Sequence, residues 1–137
     1  MKLSAIKVDA ARIEEGCWVD RIPDCGDLRL RVRGLRNADA RRLRAQLVRS
    51  VPRDHLVRGA LKPEAEDKIA AKVMAQAVLV DWENLTDEND QPIPYSREKA
   101  LELLSDPNLI VFRDAVSWAA GIVTDGAADQ AEADQGN

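Results

Sequence analysis

Residues 28–37 read Leu28-Arg29-Leu30-Arg31-Val32-Arg33-Gly34-Leu35-Arg36-Asn37. The first six alternate strictly, so one face of an extended chain carries Leu28, Leu30 and Val32 and the other carries three arginines. That period of two predicts a half-buried strand. Three residues later Asn37 is a helix-capping type, and Ala40, Leu43, Leu47, Val48 and Val51 follow at helical spacing until Pro52 stops the run. A strand passing directly into a capped helix predicts an α+β fold.

Upstream, Pro23-Asp24-Cys25-Gly26-Asp27 is rich in turn formers and joins the strand to residues 17–22, giving a β-hairpin over about 17–34. An isolated hairpin is marginal in water, so its apolar face needs helices or a third strand, for which residues 5–13 are the candidates. Downstream, helices are expected over about 37–50, 63–82, 96–104 and 106–123. Pro63 fits a first helical position with Glu64, Glu66 and Asp67 in the first turn, and Ile69, Val73, Ala77 and Val80 form the buried stripe. Ser96 caps the third helix, and Asp106-Pro107 opens the last. In that helix Leu109, Val111, Phe112, Val116, Trp118, Ile122 and Val123 cover most of the circumference, which predicts burial in the domain or against another protein. Residues 1–124 are read as one mostly helical α+β domain, and 125–137, acidic and without large apolar residues, as a disordered tail.

Composition narrows the function. The chain of 137 residues is 45% hydrophobic and only 4% aromatic, so the core rests on aliphatic residues and alanine. No apolar run is long enough for a membrane span or a secretory signal, and a cytoplasmic location is expected. The net charge of −4 conceals a division: residues 1–62 hold 15 Lys/Arg against 8 Asp/Glu, and the remainder holds 5 against 16. The two halves are placed to attract within a chain, between copies, or toward different partners.

Candidate chemistry is sparse. Cys17 and Cys25 do not form a CxxC pair, and with His55 the sole histidine no zinc site is expected. The turn Asp87-Glu88-Asn89-Asp90 lacks the glycine and closing glutamate of an EF-hand loop. No nucleophile motif, phosphate loop or dinucleotide fingerprint is present, so no enzyme, cofactor or metal is expected. The arginines from Arg29 to Arg58 form a basic stripe able to neutralise phosphates, but no aromatic is interleaved for base stacking and the whole chain is acidic. Trp82, Tyr95 and Trp118 are the candidate protein-binding aromatics. For Trp118 the core reading is favoured over the interface, whereas Trp82, at a helix end among acids, is expected to be the exposed one.

The order of a basic LRLRVRGL strand, an asparagine-capped helix and DWENLTDENDQPIPYSREKALELLSDP (residues 81–107) resembles the tail assembly chaperones of long-tailed bacteriophages and prophages. The resemblance covers roughly residues 6–123. It implies a protein that binds the tape measure protein, recruits major tail tube subunits, self-associates in some members, and is absent from the finished virion. It further implies apolar contacts from Leu101, Leu104, Phe112 and Trp118, with Arg29, Arg31 and Arg33 steering acidic partners. The alternatives are a small nucleic-acid-binding or regulatory protein using the arginines, and a minor structural virion protein.

Overall fold

The computed structural model describes residues 1–125. In chain order the elements are α1 (Ala10–Glu15), β1 (Cys17–Val19), β2 (Arg29–Val32), α2 (Ala38–Arg49), β3 (Leu56–Val57), β4 (Ala60–Leu61), α3 (Pro63–Val73), β5 (Leu79–Glu83), α4 (Arg97–Ser105) and α5 (Ile110–Asp125). This is the expected α+β architecture. From residue 126 on, the acidic tail lies outside the described residues.

The hairpin forms as its alternation dictates. β1 and β2 are antiparallel, with Cys17 opposite Val32, Trp18 opposite Arg31 and Val19 opposite Leu30. Leu28, Leu30 and Val32 are buried, Arg31 is exposed, and Arg29 and Arg33 lie half-buried at the rim. Both cysteines are free thiols. Burial, and then the neighbouring Asp24 carboxylate, push the Cys25 thiol above its ordinary pKa, which disfavours the reactive thiolate.

The third strand is not residues 5–13. Those residues lead into α1, whose cap Asp9 accepts a hydrogen bond from the Arg12 amide at 3.2 Å. Instead β5 pairs antiparallel with the far side of β2, giving the order β1-β2-β5, with Leu30 opposite Trp82 and Arg29 opposite Glu83. The helix expected over 63–82 therefore ends early. α3 loosens into a π-turn over Met74–Val78, and the chain becomes extended at Leu79. Val73, Ala77 and Val80 do recur at helical spacing, but Val78-Leu79-Val80 is a β-branched-rich run that the open edge of β2 captures. A register shift between Arg31 and Val32 accommodates the extra residue.

Asn37 ties these pieces together. Fully buried, its side chain accepts from the Ala40 amide at 2.9 Å, capping α2. Its Nδ2 donates to the carbonyls of Gly34 at 2.8 Å and Ala77 at 2.7 Å. One side chain thus fixes the end of the hairpin, the start of α2 and the π-turn. Gly34 sits where a Cβ would lie 2.6 Å from the Ile13 methyl and 2.8 Å from the Thr124 hydroxyl, so α1, β2 and the end of α5 converge on a residue without a side chain.

Candidate protein-docking face

Trp82, expected at an exposed helix end, is an interior strand residue with 5% of its surface accessible. Its indole meets Tyr95 edge-on at 5.0 Å between centroids and Phe112 at 6.0 Å. The indole N–H donates to the Ile93 carbonyl at 2.7 Å, and the Tyr95 hydroxyl donates to the Leu79 carbonyl at 3.3 Å. Desolvation is the main cause that raises the Tyr95 phenol above its ordinary pKa. The acidic turn supplies the fold-back that this cluster requires. Asp87 accepts from the Asn89 and Gln91 amides at 2.8 and 3.0 Å, Thr86 bridges to Pro92, and the Ile93 amide donates to the Leu85 carbonyl at 2.8 Å. Residues 84–95 are thus a clip closing over Trp82. Trp82 and Phe112 belong to the buried core, and Tyr95 lies half-buried against it. Leu104 is also buried, and Leu101 is half-buried against the core.

The last helix divides in an unusual way. Toward the sheet α5 buries Phe112, Ala115, Val116, Ala119, Ala120 and Val123, mostly small residues that allow close approach. Three large apolar side chains nevertheless point outward: Ile110 at 51%, Val111 at 58% and Trp118 at 39% accessible. Half-buried Ile122 extends the row, and a Cβ at Gly121 would meet nothing within 4 Å. The exposed carboxylates Asp114 and Asp125 share this face, and neither forms a salt bridge among the described residues. At its N-terminal end Ile110 opens onto a cleft of about 360 Å³ between α3 and the α4–α5 corner, bordered by Leu104, Pro107 and Arg113. An apolar row with a polar border, left uncovered by the other described residues, is the character of an interaction surface.

Of the residues singled out by sequence, Trp118 alone lies on this face. Ile110 and Val111 were missed as site residues, although they are the most exposed apolar side chains of the helix. The available signal was that Ala115, Ala119 and Ala120 all fall on one side of α5, while Ile110, Val111 and Trp118 fall on the other.

The arginines part company. Arg29 bridges to Glu83 at 2.6 Å and lies over the Trp18 ring at 5.0 Å. Arg33 donates to Asp39 at 2.8 Å and to the Glu14 carbonyl at 2.6 Å, while Arg44 pairs with Glu66 at 2.9 Å. Asp39 is held below its ordinary carboxylate pKa chiefly by the Arg33 hydrogen bond and charge, with Arg42 adding to it. Arg31, Arg36, Arg41, Arg49, Arg53 and Arg58 have no carboxylate partner among the described residues. Among the described residues no group of three or more His, Cys, Asp and Glu side chains is arranged to hold a metal ion. No described helix is long and apolar enough to cross a membrane.

A family model described as YdaY prophage protein matches residues 35–137, three-quarters of the chain. The chain belongs to that family. It is thereby a prophage protein, and the matched region runs from the loop before α2 through α5. The α5 face lies wholly inside the match, whereas α1 and the hairpin precede it. No curated protein and no solved structure matches the chain.

Proposed function

We propose that this prophage protein is a non-enzymatic tail assembly chaperone, acting in the host cytoplasm and absent from the finished particle. It holds the long tape measure protein while tail tube subunits assemble around it. The observation that carries this reading is the row of Ile110, Val111 and Trp118 left open on α5, beside a core that has used the other candidate aromatics. Such a row suits an amphipathic client helix laid along it. Family membership supports a phage context, and the likeness of residues 81–107 to tail chaperones supports the finer role.

The test is a tagged pull-down from cells expressing the neighbouring prophage genes, read by mass spectrometry and a nucleic-acid assay. The expected result is recovery of one very long helical protein without nucleic acid, and its loss with Trp118→Lys. Recovery of DNA or RNA without such a client, or a folded Trp118→Lys protein that binds every partner as before, refutes the reading. The six arginines without carboxylate partners favour nucleic acid as the second reading, in which capture weakens steeply with salt.

A further inference from the structure

Residues 1–8, Met-Lys-Leu-Ser-Ala-Ile-Lys-Val, form an arm that the body of the chain leaves uncovered. Leu3, Ile6 and Val8 are 81%, 60% and 49% accessible, in a segment whose only regular structure is a single 3₁₀ turn at Leu3–Ala5. The backbone hydrogen bonds of that turn, Ala5 to Lys2 and Ile6 to Leu3, are local. The arm is apolar and basic. Lys2 and Lys7 have no carboxylate partner among the described residues.

The α5 face is its chemical complement, apolar with Asp114 and Asp125 unpaired. Dimensions agree as well. Eleven residues of helix separate the two aspartates by about 17 Å at 1.5 Å per residue. Five residues separate the two lysines, about 13–17 Å depending on how much of the 3₁₀ turn persists, with the lysine stems taking up the difference. Among the described residues of one chain the arm and the face both stay exposed, so neither covers the other there. We infer that the arm of a second copy seats on the α5 face, and that reciprocal exchange gives a two-fold dimer in which each face is covered until a client displaces the arm.

This inference rests on the reading of α5 as a docking surface, but its test needs no client. Purified full-length chain is followed by sedimentation equilibrium over a range of concentrations at low salt. The expected result is a concentration-dependent dimer. Lys2→Glu/Lys7→Glu and Asp114→Lys/Asp125→Lys should each raise the dimer Kd by about tenfold or more, since the exposed ion pairs of both arms, two on each, become repulsive. Combining all four substitutions should restore the Kd to within a few-fold of the starting value. These are surface positions, so far-UV circular dichroism should be unchanged.

A monomer at every concentration, or a dimer indifferent to both reversals, overturns the inference. So does a monomer in which the four substitutions alter α5 hydrogen exchange independently of concentration, because the arm then lies on its own face. Monomers that still capture a client through Trp118 would overturn the arm and leave the chaperone reading standing. An arm-dependent dimer that captures no client would do the reverse.

Discussion

Trp82 and Trp118 are expected to behave oppositely on mutation, and the difference follows from where each indole sits. Removing Trp82 altogether deletes a buried aromatic, worth about 3–5 kcal/mol, a large share of the roughly 5–15 kcal/mol that holds a domain folded. Trp82→Phe is the more informative change. It retains an aromatic ring at the centre of the Tyr95–Phe112 cluster but removes the N–H that serves the Ile93 carbonyl. The lost hydrogen bond costs about 1 kcal/mol, and the missing part of the indole about as much again in packing. A total near 2 kcal/mol is expected. Trp118→Lys replaces a ring already 39% accessible with a side chain whose aliphatic stem covers part of the same ground, so about 1 kcal/mol or less is expected. Urea denaturation followed by far-UV circular dichroism measures both, and the m-value should be unchanged in each. A Trp82→Phe protein as stable as the wild type, beside a Trp118→Lys protein that has lost 3 kcal/mol, would show that the inward and outward assignments are reversed.

Two further outcomes test the frame around that cluster. Asn37→Ala should lose about 2–4 kcal/mol, combining a helix cap with the loss of both side-chain hydrogen bonds, to the Gly34 carbonyl, which keeps the residue-37 amide as a donor, and to the Ala77 carbonyl. Asn37→Asp keeps the cap acceptor but turns a buried carboxylate oxygen toward both carbonyls, so it should be at least as destabilised as Asn37→Ala at neutral pH; a wild-type Cm for Asn37→Ala would refute the triple role. Asp39 has its folded pKa lowered by Arg33 and Arg42, so its contribution is present above the ordinary carboxylate pKa and lost as pH falls through the folded one. Asp39→Asn should therefore be less stable than wild type at neutral pH, with the two converging in strongly acidic solution, and a gap that widens on acidification would contradict the sign.

Strict alternation at Leu28–Val32 left one reading, because a period of two is incompatible with a helix, and the capping types Asn37, Ser96 and Asp106 each marked a real helix start. Val73, Ala77 and Val80 were ambiguous for a physical reason. A helical stripe and the approach to a fully buried strand both demand apolar residues there, and only the open edge of β2, a long-range partner, decides between them. The same limit explains Trp82. Flanking acids make a tryptophan look solvent-facing, yet in a strand the neighbours at i±1 point to the opposite face. Asp81 and Glu83 take the side of Arg31 and Arg29, and the indole goes inside.

The candidate site was the least legible part, because an apolar circumference says that a helix has no fully polar side but not how many of its sides are covered. α5 covers one of them. Its inward face is built largely of alanine and valine, and Ile110, Val111 and Trp118 are turned outward. A helix under selection for domain stability alone would place those bulky side chains inward, where burial stabilises each by about 1.5–3 kcal/mol. Substituting a polar residue at an exposed helical position is nearly neutral for stability. An exposed row of such residues is therefore hard to explain by the fold that carries it, and easier to explain by a surface that meets it.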